Sequence, residues 1–391
     1  MLYKDYTREL LGLKDVIVTN VDQNDNEIII HIQIQKMPHN CPRCNSPTNK
    51  VHDYREQKIK DIAFCGKKTY LLLKKRRFAC SQCSKRFYER NTFLPRYHRM
   101  TSRLVHYILS ELRETYSMTT VSKKANVSVP TVCRVFNYVS YTNKSLPQVL
   151  SIDEFKGNAG TKYQCILTDP HNKRVLDILK SRESSDLCDY FKRFDNRNNV
   201  KYFVMDMWKP YREIAETFFK NATIVIDKYH FIRQILWAFE RVRKSEQKKF
   251  LKQRRIYFKQ SKRLLLKRMR YLTDYEKSIV ESMLRISPRL KEAYLLKEKF
   301  YEFVDSKDLC EAKKNLKAWY LYIGIAQIPE FNECLKTISN WEKYILNSFI
   351  CPYTNGFTEG VNNKIKVLKR NAYGLRNFGR FRSRILHVMA G

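Results

Sequence analysis

Three acidic residues stand where an acid is costly unless it holds something. Asp153 closes the apolar run Val149-Leu150-Ser151-Ile152, Asp206 closes Tyr202-Phe203-Val204-Met205, and Glu359 opens a helical stretch after Asn355-Gly356-Phe357-Thr358. A carboxylate at a strand end is expensive to leave unpaired, yet well placed to bind a hard divalent cation through oxygen. Glu154 follows Asp153 directly, but strand alternation sends it to the opposite face, so Asp153 is the candidate ligand. Such acids also serve as loop caps, and a helix with Glu359, Asn363, Lys366 and Arg370 on one face also reads as a salt-bridged surface helix. Its other side, Val361, Ile365 and Leu368, is aliphatic and requires a packing partner.

Four cysteines form the second constellation. Cys41-Pro42-Arg43-Cys44 and Cys80-Ser81-Gln82-Cys83 are two CxxC knuckles separated by residues 45–79. They supply four thiolates, the donor set of a closed tetrahedral Zn²⁺ site that stabilises a small domain and leaves no position open for catalysis. The separation is longer than a finger's and accommodates two strands, as a zinc ribbon does. Cys65, in a Phe64-Cys65-Gly66 turn, and the other six cysteines read as ordinary free thiols. Eleven cysteines, an odd number, behind an N-terminus without a signal-peptide core predict reduced thiols in a cytosolic compartment.

The elements that must position these groups follow from periodicity. Residues 16–36 predict a hairpin, because residues 22–26 are turn chemistry and Ile28, Ile30, Ile32 and Ile34 alternate at the strand period. Two strand-like runs lie between the cysteine pairs, and the second ends in Lys74, Lys75, Arg76 and Arg77. From Thr101 to Tyr141 the period becomes helical. Residues 119–125 and 128–139, broken at Asn126-Val127, fit a helix-turn-helix with Ser128 as cap and Pro130 in the first turn. In that arrangement Thr131 and Arg134 face the major groove of DNA while Val132, Val135 and Phe136 pack inward; an ordinary helical hairpin is the alternative. Three strands (149–155, 163–168, 174–179) then precede a helix, a strand ending at Asp206, a second helix and a strand ending at Asp227. That order predicts a mixed sheet with helices packed on it. Residues 231–349 are helical throughout and include a dense basic stretch from Arg241 to Arg270.

Charge narrows the function. Lys and Arg number 75 against 39 Asp and Glu, a net charge of +36. That excess repels itself unless a polyanion neutralises it, and nucleic acid is the commonest such partner because phosphate contacts release condensed counterions. A membrane partner is not expected, since no run of about 18 apolar residues appears. With 43% hydrophobic residues over 391 positions, the chain can bury real cores in about two to four domains.

These residues resemble the DDE-superfamily transposases of bacterial insertion sequences, specifically the ISL-three family. The signatures are Ser151-Ile152-Asp153-Glu154-Phe155, Val204-Met205-Asp206-Met207-Trp208 and Asn355-Gly356-Phe357-Thr358-Glu359-Gly360. Asp227-Lys228-Tyr229-His230 is similar to the family's D-x-x-H step at the end of the last core strand. The resemblance covers nearly the whole length and implies a multidomain α+β chain. A hairpin and zinc ribbon would occupy 1–90 and a helix-turn-helix DNA-binding domain 91–145. An RNase H-like mixed α/β core would follow over 146–230, then an all-helical insertion over 231–350, then the core's final helix, with Glu359, over 351–391. Asp153, Asp206 and Glu359 would be catalytic and hold Mg²⁺ or Mn²⁺. Asp227 and His230 would be accessory, with a structural histidine an equal reading of His230. The family pattern also implies a C-terminus slightly longer than one ending Val388-Met389-Ala390-Gly391.

The activity so implied is DNA transposition: metal-dependent hydrolysis at the element's ends, then attack of the freed 3′-hydroxyl on target DNA. Double-stranded DNA is the expected partner. The zinc ribbon and helix-turn-helix would read the terminal inverted repeats, and Lys366 and Arg370 would offer further DNA contacts. The basic insertion, with Trp237, would clamp flanking DNA through phosphates. Joining two ends predicts a homo-oligomer on DNA, in the bacterial cytoplasm and nucleoid-associated when bound. Three other classes stay open: a DNA-binding regulator using only the first 145 or so residues, a structure-selective RNase H-like nuclease that cuts without joining, and an inactive element-derived protein.

Overall fold

In the computed structural model the described residues are 12–13, 16–94, 98–157, 163–372 and 375–390. Their contacts divide the chain into two units, one of Met1–Tyr141, Val367–Leu375 and Gly379–Gly391, the other of Thr142–Lys366 and Arg376–Phe378. Zinc ribbon and helix-turn-helix share one unit, and the segments after Lys366 mostly join that unit.

The first unit is built on a five-stranded sheet ordered β1-β2-β6-β5, with β7 on β6. Strands β1 (Val16–Gln23) and β2 (Glu27–Ile34) form the expected hairpin, and the two-residue strands β3 (His39–Asn40) and β4 (Pro47–Thr48) flank the first knuckle. Strand β5 (Val51–Lys60) pairs antiparallel with β6 (Lys68–Ala79), which runs parallel to β2 and carries β7 (Arg86–Tyr88) beyond it. The alternating isoleucines of β2 pack on Ile59, Leu71 and Leu73, so one sheet face is core. Between β5 and β6, Cys65 (φ 49°) and Gly66 (φ 75°) take the left-handed conformations that a tight hairpin turn requires.

Helices α1 (Ser102–Glu111), α2 (Met118–Lys124) and α3 (Val129–Phe136) follow. Thr101 and Ser117 cap the first two with their hydroxyls. Ser128 occupies the cap position of α3, but its hydroxyl meets Thr131 Oγ1 at 3.0 Å and makes no side-chain cap bond. Val132, Val135 and Phe136 join the core of the three helices, as the amphipathic pattern predicts.

The second unit holds a sheet of order β10-β9-β8-β11-β12. Strands β8 (Val149–Lys156), β9 (Tyr163–Asp169) and β10 (Arg174–Leu179) are antiparallel, whereas β11 (Tyr202–Met205) lies parallel to β8 and β12 (Thr223–Ile226) parallel to β11. With α4 (Ser184–Lys192) and α5 (Lys209–Phe218) as crossovers, this is the RNase H-like mixed α/β core. The helical segment comprises α6 (Lys228–Lys248), α7 (Lys252–Gln260), α8 (Lys262–Leu266), α9 (Asp274–Ile286), α10 (Pro288–Val304), α11 (Leu309–Ala326) and α12 (Pro329–Leu346). One hydrophobic core runs from Leu150 and Phe203 on the sheet through Phe239 and Phe300 to Trp319 and Ile345 in the helices.

Helix α13 (Gly356–Asn371) starts the last stretch and α14 (Phe378–Met389) ends it. Helix α14 buries Phe381, Ile385 and Val388 and closes on the helix-turn-helix. Arg384, only 1% exposed, donates to the carbonyls of Glu114 and Tyr116 at 2.7 and 2.8 Å. His387 lies with Nε2 2.7 Å from the Leu109 carbonyl and Nδ1 2.6 Å from the Tyr141 hydroxyl. These bonds explain why residues after Lys366 belong with the DNA-binding helices.

Candidate functional site

Each cysteine knuckle folds by the same local rule. The residue after the second cysteine, Asn45 or Ser84, turns left-handed (φ 58° and 53°), and the first cysteine's carbonyl accepts its N–H. This aims both thiols of a pair the same way. Cys41 Sγ lies 3.5 Å from Cys83 Sγ and Cys44 Sγ 3.5 Å from Cys80 Sγ, and the four sulfurs lie within 4.8 Å of one another. Hydrogen bonds from Ser46 hold the Cys44 thiol down at about 6, while the neighbouring thiols of the cluster push Cys83 up. A closed S₄ set fits one structural Zn²⁺.

The carboxylates gather at the carboxyl ends of parallel strands, the usual ligand edge of an α/β sheet. Asp206 follows β11 directly and Asp227 follows β12. Asp153 lies inside β8 rather than at its end. Pairing with β11 stops at Ser151, while β9 holds β8 straight to Lys156, so Asp153 projects at the rim where its inner neighbour has ended. Its carboxylate is 8% exposed, accepting Glu154 N–H at Oδ1 (2.7 Å) and the Asn362 amide at Oδ2 (2.8 Å). Burial, and then the negative charge of Asp206, push its pKa up to about 7. Glu154 points away, as alternation predicts, into a salt bridge with Arg182 at 2.8 Å.

His230 Nε2 lies 2.7 Å from Asp206 Oδ1, an ion pair when the imidazole is protonated. Burial works against charging His230, yet contact with Asp206 wins and raises it above the ordinary histidine value. Asp227 is a structural tie. Its Oδ2 accepts Tyr229 N–H and caps α6, while Oδ1 accepts the Asn355 N–H at 3.1 Å.

Glu359 lies on the exposed first turn of α13, with Asn363, Lys366 and Arg370 exposed along the same face and Val361, Ile365 and Leu368 buried. Among the described residues, the four cysteines alone form a group of three or more metal-ligating side chains within 4.8 Å. Glu359 is therefore not drawn against Asp153 and Asp206 here; Asn362 is the side chain of α13 that reaches Asp153. Periodicity contained a signal for it. Asn355, Thr358 and Asn362 form a small polar stripe at helical spacing, and all three are buried, with Asn355 Oδ1 accepting from Ser151 and Thr358 meeting Thr168 at 2.7 Å.

On α3, Arg134 is exposed and Thr131 half-buried, both on the outward face. Trp237 on α6 is 53% exposed, with the Arg233 guanidinium 4.8 Å from its ring. The basic stretch beyond it is largely engaged internally. Arg243 binds Glu240 and the Phe258 carbonyl, Lys267 binds Glu276, and Arg268 and Arg270 bind Asp305. That leaves less free charge for flanking DNA than composition suggests. Among the described residues, no helix is long and apolar enough to cross a membrane.

Residues 150–385 match the family described as Transposase, residues 37–83 the zinc-finger of transposase IS204/IS1001/IS1096/IS1165, and residues 89–140 the helix-turn-helix domain of transposase family ISL3. The chain is similar to the transposase for insertion sequence element IS1001 of Bordetella parapertussis, 25% identical over 350 residues that cover 86% of this chain and 85% of that one. A shorter similarity, 36% over 121 residues, spans 31% of this chain and 36% of a Lactococcus lactis subsp. lactis protein described as an ATP-dependent protease. The sequence here contains no GxxxxGK[ST] phosphate loop.

Proposed function

Because the chain belongs to the ISL3 family of insertion-sequence DNA transposases, we propose that Asp153, Asp206 and Glu359 are the metal-binding catalytic triad with which it cuts element ends and joins them to target DNA. The observation that carries this reading is the pair of acids at the rim of β8 and β11, Asp153 buried and Asp206 half-buried. Asp153 resists ionisation there, and Asp206 faces the His230 ring at 2.7 Å. A site that disfavours its own negative charge is ready for a cation. Bound Mg²⁺ or Mn²⁺ would activate the attacking water and stabilise the departing 3′-oxygen.

The protein's part is orientation. The Glu154 N–H and Asn362 amide fix both oxygens of Asp153, and His230 sets the position of Asp206. Glu359 enters the site from α13 when DNA and metal are present. Asp227 and His230 are accessory, the first tying Asn355 to α6 and the second serving as partner of Asp206. Thr131 and Arg134 read the terminal inverted repeats, with Lys366 and Arg370 adding phosphate contacts, and two protomers pair the ends.

The test is a nicking assay on labelled element-end DNA with Mg²⁺ or Mn²⁺, with Asp206→Ala alongside. Metal-dependent cuts at the element boundary, absent in the variant, are expected. Tight binding without cleavage in either protein would point to a binding protein or an inactive copy, and cuts independent of the repeat to a structure-selective nuclease.

A further inference from the structure

The basic run at the end of β6 does not act as one patch; the strand distributes it over two faces. Arg76 turns inward and is fully engaged, donating to the Ile34 carbonyl at 2.6 Å and to Glu89 at 3.1 Å. Lys74 lies over the Tyr54 ring. Lys75 and Arg77 continue the face that begins as core with Leu71 and Leu73. Cross-strand pairing puts Arg55 opposite Lys75, Asp53 opposite Arg77, and Tyr88 on the far side of Arg77. The inner face of this sheet thus changes, midway along two strands, from hydrophobic core to a cationic wall.

That wall lines a groove of about 1510 Å³, with the first cysteine knuckle and Arg43 among its other lining residues. Eight of the lining side chains are Lys or Arg and two are Glu, and one of those, Glu89, is already bound to Arg76. Of the wall cations, Arg77 pairs with Asp53 at 3.3 Å. Arg43, Arg55, Lys75 and Arg86 have no carboxylate partner among the described residues. Like charges opposite each other in a ladder are destabilising, so Arg55 beside Lys75 is a local cost unless an anion occupies the groove. Tyr88, 39% exposed, offers a flat ring flanked by Lys75 and Arg77.

We propose that this groove of the zinc-ribbon unit is a phosphate track that grips one strand of DNA by its backbone, independently of sequence. The proposal rests on the DNA-binding reading above and assigns affinity to the groove and base recognition to α3. A solvent-accessible wall of cations facing a knuckle, with eight Lys or Arg side chains to two Glu in the lining, suits a line of phosphates.

The experiment is fluorescence anisotropy of the full chain on labelled terminal-repeat and scrambled duplexes from about 50 to 200 mM salt. It compares wild type, the triple variant Arg55→Gln/Lys75→Gln/Arg86→Gln, the conservative Arg55→Lys/Lys75→Arg/Arg86→Lys, and Arg134→Ala. Zinc content and circular dichroism confirm that each is folded. With three phosphate contacts removed, the log–log salt slope should flatten by about 2 to 3, equally on both duplexes, while the conservative triple keeps the wild-type slope. Arg134→Ala should weaken only the terminal-repeat duplex. A wild-type slope in the Gln triple, or a loss confined to the terminal repeat, would overturn the groove while leaving DNA binding intact. Failure of wild type to bind either duplex would overturn both.

Discussion

Substituting Asp153 by Asn should remove cleavage and, at neutral pH, make the catalytic unit more stable. The carboxylate is buried, faces Asp206, and has its pKa raised from the ordinary 3.8 to about 7. A raised carboxyl favours folding only while it stays protonated. Below about pH 4 the folded and unfolded chains both carry the proton, and the site costs nothing. Between about 4 and 7 the unfolded chain ionises and the folded chain resists, so stability falls as pH rises; above 7 the loss is complete. The shift corresponds to ~4 kcal/mol, of which about 2 should remain after relaxation of the site. Asn carries no charge and fits the same space. Its amide can keep both existing bonds, because Asn362 Oδ1 is buried without a partner and an amide flip at Asn362 would present it to the new NH₂.

The assay is thermal unfolding of wild type and Asp153→Asn from pH 4.5 to 8, with and without Mg²⁺. The variant should melt about 4–8 °C higher at pH 7.5, and the gap should close towards pH 4.5. Mg²⁺ should raise wild type alone, since a bound cation removes the repulsion that Asn removes covalently. Gel shifts on the terminal repeat should be unchanged. A variant that melts at or below wild type at pH 7.5, or a gap that ignores pH, would refute the electrostatic account of the site.

Chelating zinc, or Cys80→Ser, should release one Zn²⁺ per chain, measured by metal analysis. It should lower DNA affinity at least about tenfold while leaving the melting of the catalytic unit unchanged, because the knuckles are stabilised by the metal. Arg384→Ala should destabilise the DNA-binding unit by about 3 kcal/mol in denaturant titration, since it leaves the Glu114 and Tyr116 carbonyls without their buried donor and opens a cavity under α14. His230→Gln should reduce cleavage by about 10- to 100-fold and raise the Mg²⁺ requirement without altering terminal-repeat binding, as expected for a side chain that positions a metal ligand.

What could be read from the sequence was local. Two CxxC pairs specify their own turns, so the zinc site needed only the fold to bring residues 41–44 and 80–83 together. Asp206 was visible because an apolar run stops where the hydrophobic requirement stops, Asp153 because it interrupts one, and Thr131 and Arg134 because Val132, Val135 and Phe136 define the opposite face. What escaped was long-range. Asn362 bonds Asp153 across 209 residues of sequence, and His387 meets the Leu109 carbonyl across 278. No periodicity in a helix names its partner. Helix α14 has an apolar face that any core could have received, and its polar bonds to the segment of α1–α3 come from Arg380, Arg382, Arg384 and His387. The basic stretch from Arg241 was legible only as a count, which does not reveal that Glu240, Glu246, Glu276 and Asp305 pair with Arg243, Lys249, Lys267 and Arg270.

The start of α13 shows why polar contacts matter beside an aliphatic seam. Val361, Ile365 and Leu368 alone would accept a small rotation or slip of the helix, since hydrophobic packing is non-directional. Four polar contacts forbid it: Ser151 to Asn355 Oδ1, the Asn355 N–H to Asp227, Thr358 to Thr168, and Asn362 to Asp153. They come from β8, β9 and the end of β12, so a one-residue slip would leave several buried groups without partners at once, at about 1–3 kcal/mol each. Glu359 follows Thr358 and precedes Asn362 by three residues, so its azimuth on the helix is fixed by side chains that are not themselves proposed to bind metal. Apolar replacement of Thr358, such as Thr358→Val, should therefore impair cleavage more than it impairs folding, because it keeps the volume and removes the register.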